Sequence, residues 1–431
     1  MSKQVSITRF SNDHSSIADA IGKINGFAKL HAGDRVLLKP NLVMWDRIYP
    51  FPKYGVLTTS VVMEGVVRAL KEYGCTRIAI GEGAIVDKGL GSDTRAAFAG
   101  LGYHKLRDRY GVELVDFNDG PFVQTDFGGY SLDVAAHVLE TDFLINLPVL
   151  KTHSNTKVSL GFKNLKGCLN VKSKMFCHHT ELPLEGFVCA LGERIKPALT
   201  LIDGIYALEK GPVVNGRAYR TDVLIASTDM FAADVAGARV LGFAPEDIAY
   251  LQQYAARYNR SFDDMEVIGE QIKDVAHSLE WDWAWLEDNS GPEAFIRQGI
   301  KGIHFPKYDN TICSGCSYLN NYLLIALMGA YAKAPFADME FLGGKASRSK
   351  GGFAKTFLFG KCAIHANHNN PHISEAVPIK GCPPDIPRIL ETLTSQGIPA
   401  DDRAYAAYRA ALAKRYENRE EYVEEHFSVM R

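Results

Sequence analysis

The sequence predicts an α/β protein with a mainly parallel sheet, helices on both faces, and a smaller C-terminal α/β unit that carries cysteines. In the first half of the 431 residues, apolar strand-like segments alternate with amphipathic helix-like segments, a pattern typical of such sheets. Polar motifs follow several of these strands, where ligands bind in parallel sheets. Four of the eight cysteines cluster in the last third of the chain, which favours a separate unit there.

The alternating segments define the elements of the predicted sheet. The N-terminus alternates apolar and polar residues as a strand does. Residues 60–73 predict a helix, because Val62, Val66 and Leu70 recur at helical spacing. Asp229 and Asp234 are expected to be cap and first-turn residues of the predicted helix 231–240 rather than catalytic acids. The other expected strands are 35–40, 77–83, 112–117, 142–147, 198–203 and 222–227, and the other expected helices are 94–98 and 231–240.

Changes of pattern suggest three regions: an α/β domain over residues 1–299, a cysteine-bearing unit over 300–400, and an amphipathic helix over 401–431. The first ends in a helical, then tryptophan-rich cover at about 247–290. Trp281, Trp283 and Trp285 alternate in that cover, which is typical of a packed edge rather than a cofactor site. Gly291 and Pro292 then interrupt the pattern.

Composition narrows the class of partner. The chain is 46% hydrophobic and 23% charged, with a formal net charge of −2 and no long block of one sign. Nothing therefore favours nucleic acid or a membrane surface, and small molecules or proteins are the expected partners. No signal-peptide pattern is present, and the apolar stretch 318–334 is too short and too polar to span a bilayer. A cytoplasmic location is expected.

The clustered cysteines predict an iron–sulfur site. Cys313 and Cys316 form a Cys-x-x-Cys pair, and Cys362 and Cys382 follow 46 and 20 residues later. All four are expected in loops beside regular elements, where amide N–H groups favour an anionic cluster. Four thiolates match the ligand count of one [4Fe–4S] or [2Fe–2S] cluster, with [4Fe–4S] the leading choice. The Gly-Cys-Pro-Pro element at Cys382 resembles the cluster-binding loops of hydrogenase small subunits.

Zinc is the alternative metal, because four cysteines also make structural zinc sites, although the second close pair typical of such sites is missing. The remaining cysteines are treated separately. Cys75 and Cys189 lie in apolar surroundings and are expected to be core residues. Cys168 and Cys177 bracket a lysine-rich segment, and their nine-residue spacing matches no known metal pattern.

The second candidate site is a lysine- and histidine-rich segment. Six lysines fall between residues 151 and 174, and several follow an apolar strand end. Solvated surface residues are the ordinary interpretation of such a segment. Convergence on one carboxylate or phosphate is the functional one. We predict His153, Lys166 and Lys151 as catalytic groups, and predict as substrate-binding groups Lys163, Asn164, Lys39, Asn41 and His178.

Several spaced motifs together resemble the domain of unknown function 362 family over about residues 33–275. The motifs are Lys39-Pro-Asn-Leu-Val, Gly81-Glu-Gly, Asn146-Leu-Pro-Val-Leu-Lys-Thr-His, Lys163-Asn-Leu-Lys-Gly, Asp203-Gly-Ile and Gly211-Pro. The resemblance implies an iron–sulfur segment after the domain, often with two clusters, whereas these cysteines suffice for one. A fainter resemblance to nickel-pincer lactate racemase points to His153, Lys166 and His178 or His179.

These observations lead to one functional hypothesis and two alternatives. The leading hypothesis is an iron–sulfur oxidoreductase that acts on a small anionic molecule, with an electron-donor protein as a further partner. A racemase or isomerase with a bound cofactor is the first alternative. An electron-transfer or cluster-carrier protein is the second. Fold and motif resemblance do not determine the reaction.

Overall fold

The computed structural model describes residues 3–429 and confirms the predicted fold class. The strands of this part of the chain are β1 (Lys3–Arg9), β2 (Arg35–Pro40), β3 (Arg77–Glu82), β4 (Glu113–Asp116), β5 (Phe122–Asp126), β6 (Ser131–Ala135), β7 (Phe143–Leu147), β8 (Val149–His153), β9 (Lys157–Ser159), β10 (Leu199–Glu209), β11 (Arg217–Ser227), β12 (Met265–Gly269), β13 (Ile303–His304), β14 (Met339–Gly343), β15 (Lys355–Phe359) and β16 (Ala376–Ile379).

Helices separate many of these strands along the described residues. The α-helices are α1 (Ser15–Gly22), α2 (Ser60–Tyr73), α3 (Thr94–Gly100), α4 (Tyr103–Tyr110), α5 (Ala136–Glu140), α6 (Gly161–Asn164), α7 (Val171–Phe176), α8 (Leu184–Arg194), α9 (Met230–Val240), α10 (Ala249–Tyr258), α11 (Ile272–Val275), α12 (Ala294–Gln298), α13 (Ser314–Ala330), α14 (Gly360–Ala366), α15 (Ile386–Ser395) and α16 (Arg403–Lys414). Short 3-10 helices cover Leu165–Cys168, Pro245–Asp247 and Glu424–Phe427.

The large sheet has the strand order β12-β1-β11-β10-β7-β2-β3-β4, and β8 pairs with both β10 and β9. Strands β10, β7, β2, β3 and β4 run parallel to their neighbours in that order. Strand β11 is antiparallel to both β1 and β10. The sheet is therefore mainly parallel with an antiparallel section, and the carboxyl ends of its central strands lie together at one edge.

Both faces of the large sheet are buried, as the alternating segments predicted. In β2, Val36 and Leu38 belong to one hydrophobic core, whereas Leu37 between them belongs to the core on the other face. Successive side chains of a strand point to opposite faces, so this division places one core on each side of the sheet. Helix α2 packs in the first core and helix α9 in the second.

Strands β10 and β11 are longer than the predicted segments 198–203 and 222–227, because the two strands form an extended antiparallel pair. A register shift between Gly204 and Tyr206 marks an irregularity in that pair. A Cβ at position 204 would lie 2.6 Å from the backbone oxygen of Val223, so only glycine permits this close approach.

The cysteine-bearing region forms a second sheet with the order β13-β14-β15-β16, and all its strands are parallel. Helices α13, α15 and α16 bury their apolar residues in a third core together with this sheet. Met44, Tyr49 and Leu90 of the first region also belong to that core. The second sheet therefore packs against loops that follow β2 and β3.

The C-terminal region differs from the predicted helix 401–431. Helix α16 ends at Lys414, and Asn418 has a φ of 56°, which ends a right-handed helical path. The chain then returns to the first region, where Tyr416, Phe427 and Val429 are buried in the core beneath the large sheet. Residues 430 and 431 of the predicted helix lie outside the described residues. Tertiary burial of aromatic residues thus replaces the last turns of the predicted helix.

The tryptophan-rich segment is a cover, largely without regular structure. Trp285 forms one isolated bridge with Pro292, and the indole Nε1 of Trp285 donates to the Phe305 carbonyl oxygen at 3.3 Å. Within residues 3–429, no helix combines the length and apolar character needed to cross a membrane.

Candidate functional site

A cavity of about 740 Å³ opens beyond the carboxyl ends of the central strands, between the large sheet and the cysteine-bearing unit. Strands β2, β3 and β8 place Lys39, Glu82, Lys151 and His153 at its wall. All eight residues predicted to be catalytic or substrate-binding line it: Lys39, Asn41, Lys151, His153, Lys163, Asn164, Lys166 and His178. The cleft expected at the strand ends is therefore present, and it gathers residues that are far apart in sequence.

A buried ion pair forms one end of this cavity. The Nζ atom of Lys39 lies 2.8 Å from Oε2 of Glu82, and both residues are almost completely buried. Lys39 also donates to the Pro40 carbonyl and to Asn164, while Glu82 accepts from the N–H groups of Leu42 and Gly83. These bonds offset the desolvation of both charges, so the pair is fixed in place. Glu82 was not predicted as a site residue, although its motif, Gly81-Glu-Gly, was one of those that carry the family resemblance.

The amide of Asn164 lies at the centre of a hydrogen-bond network. Its Oδ1 accepts from Lys39 at 3.1 Å and from Asn41 at 2.9 Å, and its Nδ2 donates to Asn146 at 2.8 Å. A Cβ at Gly167 would lie 2.5 Å from Lys39 Nζ, so the chain approaches the ion pair closely only because residue 167 is glycine. Asn41 and Asn164 thus position the basic groups around them.

Lys151, predicted as catalytic, is fully engaged by the protein. Its ammonium donates to Asn41 Oδ1 at 2.6 Å, to the Val56 carbonyl at 2.8 Å and to the Pro212 carbonyl at 3.3 Å. An ammonium group has three N–H donors, and these acceptors account for all of them. Burial lowers the pKa of Lys151 to about 7. In this arrangement the side chain contributes charge and position, with no donor left for a ligand.

Lys163 and Lys166 lie on consecutive helical turns, in α6 and in the following 3-10 helix. The start of α6 is held by Asp234 of helix α9, whose carboxylate accepts from Gly161 N at 2.6 Å and Phe162 N at 3.1 Å. Burial raises the pKa of Asp234 to about 7, although these hydrogen bonds oppose the shift. Asp229 caps α9 as expected.

The first of two lysine–histidine pairs joins Lys163 Nζ to His153 Nε2 at 3.1 Å. Nδ1 of His153 accepts from the backbone N–H of Asn155 at 3.0 Å. A neutral imidazole has one donor and one acceptor nitrogen, so Nε2 is then the donor and Lys163 must accept. Only an uncharged amine can accept, and burial, with the charges of Lys166 and Lys151, indeed holds the pKa of Lys163 well below its usual value.

The second pair joins Lys166 Nζ to His178 Nε2 at 2.6 Å, with the opposite polarity. Nδ1 of His178 lies 2.8 Å from the Asn310 carbonyl oxygen, which can only accept, so Nδ1 carries the proton. Nε2 is then the acceptor and Lys166 the donor. Burial lowers the pKa of Lys166, but the charges of Cys177 and Cys313 oppose that shift. His178 is buried, whereas the ordinary interpretation of a lysine-rich segment would place it on the surface.

Asn310, which sequence reasoning missed, connects the two pairs. Its carbonyl accepts from His178, and its side-chain Oδ1 accepts from the Asn155 amide at 2.8 Å. Asn155 in turn bonds His153. Asn310 lies three residues before Cys313, so the cysteine-bearing segment is tied to both histidines. No local sequence signal identifies it, because the contacts join residues more than 130 positions apart.

The charge balance of the cavity favours an anion. Its lining contains nine lysine and arginine side chains and four carboxylates. Each carboxylate is ion paired with one of these cations: Glu82 with Lys39, Glu280 with Lys210, Glu293 with Arg297 and Asp282 with Lys307. Among the described residues, the basic side chains that remain without a carboxylate partner are the uncharged Lys163 together with Lys151, Lys166, Lys174 and Arg415. Burial also lowers the pKa of Lys174 to about 8.

The four clustered cysteines are brought together near one end of this cavity. Cys313 is the N-cap residue of α13, and Cys316 lies in its first turn. Cys362 lies inside α14 rather than at the end of a strand or in a loop, because β15 ends at Phe359. Cys382 precedes α15 in an irregular segment. Thus Cys313 and Cys382 lie outside regular elements, as predicted, whereas Cys316 and Cys362 lie within helices.

Cys316 interacts with the other three clustered cysteines through a hydrogen bond or through charge. A hydrogen bond from Cys316 lowers the pKa of Cys313 to about 6. The pKa of Cys316 is raised by that bond, by burial and by the charges of Cys313, Cys382 and Cys362. Cys313, Cys316 and Cys362 line a second cavity of about 280 Å³. Within residues 3–429, no group of three or more His, Cys, Asp or Glu side chains is arranged so that it could hold a metal ion.

Lys345 links the two cavities and was also missed by sequence reasoning. It lines the cysteine cavity, and its ammonium donates to the carbonyl oxygens of Met175 and His178. Ile312 lines both cavities, so they share a wall. Cys168 and Cys177 are completely buried in the core on one face of the large sheet, and burial raises the pKa of both thiols.

Comparison with known proteins finds similarity over about half of the chain. Residues 36–239 match the family described as "Domain of unknown function (DUF362)", as the motifs predicted. A thylakoid-associated protein of Synechocystis sp. is 28% identical over 238 residues, which cover 54% of this chain and 70% of that protein. Both lysine–histidine pairs of the cavity lie inside the family match. The four clustered cysteines lie outside it.

A solved structure, the lactate racemase apoprotein from Thermoanaerobacterium thermosaccharolyticum, overlaps partly with the chain. The two share 10% sequence identity with a TM-score of 0.34, over 55% of this chain and 56% of that protein. The chain thus spans about half the length of that structure. An overlap at this level assigns neither a shared fold nor a shared reaction.

Proposed function

On the premise that residues 36–239 form a DUF362 domain, we propose that the chain is an iron–sulfur oxidoreductase whose cleft binds an anionic substrate. The observation that carries this proposal is the shared wall between the cysteine cavity and the lysine-lined cavity. A redox centre and a substrate site must lie close together for electrons to pass between them. The proposal includes a reducing, cytoplasmic location, where free thiols and clusters persist.

The cleft supplies the anion site. Lys166 donates one N–H to His178, its partner among the described residues, which leaves two N–H groups for a ligand. Its positive charge lies beside the other unpaired cations, so a carboxylate or phosphate would relieve their mutual repulsion. His178 orients the ammonium and is itself fixed by Asn310. Lys166 is therefore the proposed binding group, with His178 and Asn310 positioning it.

The Lys163–His153 pair supplies proton chemistry. An uncharged amine that is half-buried at the cavity wall can take a proton from a substrate that is oxidised, or return one to a substrate that is reduced. His153 keeps the amine oriented through Nε2. Electrons would leave or enter through the cysteine site, and a one-electron carrier protein would be the second redox partner.

The cysteine site fits an anionic metal cluster in several respects. Three of the four cysteines line one cavity, and one of these, Cys313, occupies the N-cap position of helix α13. A Cβ at Gly360 would lie 3.4 Å from Cys316 Sγ, so the backbone passes close to the sulfur without a side chain between them. We propose Cys313, Cys316, Cys362 and Cys382 as ligands of one [4Fe–4S] cluster, with zinc as the alternative. When bound, such a cluster supplies one-electron transfer.

Purification without oxygen, followed by visible and electron paramagnetic resonance spectroscopy and by iron and zinc analysis, tests the proposal. We expect about four iron atoms per chain and a broad visible absorption that dithionite bleaches. Cys313→Ser should lose most of the iron. Cys75→Ser is the matched control, because Cys75 is buried in the core beneath the large sheet and should keep it. One zinc per chain with no iron would refute the cluster and with it the redox function.

A further inference from the structure

The cavity is far larger than a small anion requires. Its volume is about 740 Å³, whereas a water molecule occupies about 30 Å³ in the liquid. A two- or three-carbon acid at Lys166 would leave most of the space to water. Cavities of this size usually hold ligands of the size of a drug or a cofactor.

The two sides of the cavity differ in chemistry. The basic side comes from the large sheet and its helices, as described above. The cysteine-bearing unit adds an apolar patch to the lining, where helix α13 contributes Leu324, Ile325 and Met328 and helix α16 contributes Tyr408, next to the polar Asn320 and Asn321 of α13. Apolar side chains that line open space gain free energy only when a ligand or partner covers them.

Aromatic rings extend this apolar side. Trp283 and Trp285 of the cover line the cavity, and 39% of Trp283 is exposed. The indole of Trp285 is fixed by its bond to the Phe305 carbonyl, and Lys210 lies 5.3 Å from the ring centroid of Trp283. Held indole rings present flat surfaces on which another ring can stack. The sequence pattern indicated that these tryptophans pack at an edge, and in the structure two of them, Trp283 and Trp285, also line the cavity.

From this division we infer that the ligand is an aromatic oxyanion: a flat conjugated ring system that carries a carboxylate or phosphate. The oxyanion binds at Lys166 and the ring lies against Leu324, Met328 and Trp283. The inference rests on the proposed anion site and names its substrate class. It excludes both short aliphatic acids and uncharged aromatic molecules as good ligands.

Calorimetric titration of the purified full chain with simple probes tests this class. We expect 2-naphthoate to bind about 100-fold more tightly than acetate, because the ring buries apolar surface. It should bind about tenfold more tightly than uncharged 2-naphthalenemethanol, which lacks the oxyanion. 2-Naphthyl phosphate compared with 2-naphthoate identifies the preferred oxyanion. Equal affinity for acetate and 2-naphthoate, or tighter binding of decanoate than of 2-naphthoate, would overturn the inference.

Variants of the cover sharpen the test. Trp283→Ala should weaken 2-naphthoate binding about tenfold and leave acetate binding unchanged. Trp281→Ala is the matched control in the same segment, because Trp281 also packs beneath a lysine, Lys307 at 4.9 Å, but is not among the residues that line the cavity. Equal losses in both variants would contradict a stacking role for Trp283. The probe series on the unaltered protein decides the case even if a variant fails to fold, and iron analysis reports separately on the redox proposal.

Discussion

The two lysine–histidine pairs of the cavity are alike in composition and opposite in polarity. In the Lys166–His178 pair, the carbonyl of Asn310 places the imidazole proton on Nδ1, and the lysine donates. In the Lys163–His153 pair, the N–H of Asn155 makes Nδ1 an acceptor, and the lysine accepts. One backbone group per histidine therefore decides which lysine can carry a charge.

This difference separates binding from proton transfer within one cavity. A charged donor attracts an anion, and an uncharged amine accepts a proton. If Lys163 and Lys166 were both charged in this cavity, they would repel each other. The pKa of Lys163 is lowered first by burial and then by the charge of Lys166, which reflects that repulsion. The pairs can therefore be tested against each other by removing one lysine at a time.

Removal of the charged member should have the largest effect. Lys166→Met is expected to weaken 2-naphthoate binding about 100-fold, because it removes the ammonium donor and leaves His178 Nε2 without its partner. Calorimetric titration measures the change. Lys157→Met is the control, since Lys157 pairs with Asp247 at 3.5 Å, and its affinity should match that of the unaltered protein. A loss below threefold in Lys166→Met would remove Lys166 from the binding site.

The uncharged member should control proton uptake. An anion raises the low pKa of Lys163, so binding takes up a proton at pH values between the free and bound pKa, and affinity falls as pH rises through that window. Lys163→Met is expected to lose this uptake while affinity changes about tenfold at most. Titration at pH 8 in two buffers of different ionisation enthalpy measures it. Equal uptake in the variant would assign the proton to another group.

The smallest effect is expected where the two pairs are joined. Asn310→Ala removes the side-chain bonds to Asn155 and Glu185 but keeps the carbonyl that accepts from His178. We expect a loss of roughly 1–3 kcal/mol in the free energy of unfolding. We also expect the proton uptake on ligand binding to differ from that of the unaltered protein, because His153 is less well held. Denaturant unfolding and the calorimetric assay measure these quantities.

Asn370→Ala is the matched control for Asn310→Ala, because the Asn370 amide also bridges two neighbours, Ser349 and Asn367. It should lose similar stability and keep normal proton uptake. If Asn370→Ala changes the uptake as much as Asn310→Ala does, the effect reflects stability and not the connection between the pairs.

Much of the fold followed from local patterns. Alternating strands and helices predicted the large sheet, and the motifs at the ends of β2, β3 and β8 predicted that Lys39, Lys151 and His153 would meet. The rule works because parallel strands end at one edge. Helical periodicity failed at residues 415–429, where aromatic burial replaces helix. Cys362 was misplaced because β15 passes directly into α14 with no intervening loop.

The residue types of the candidate site were determined by the sequence alone: basic side chains after apolar strands, and four cysteines in one region. Only the tertiary structure decided their chemical states. The charge of Lys163 depends on the backbone N–H of Asn155, eight residues earlier in the chain, and the charge of Lys166 depends on a carbonyl from the cysteine-bearing unit. Hydrogen-bond polarity and burial are properties of the packed molecule, so identical residue pairs acquire opposite roles.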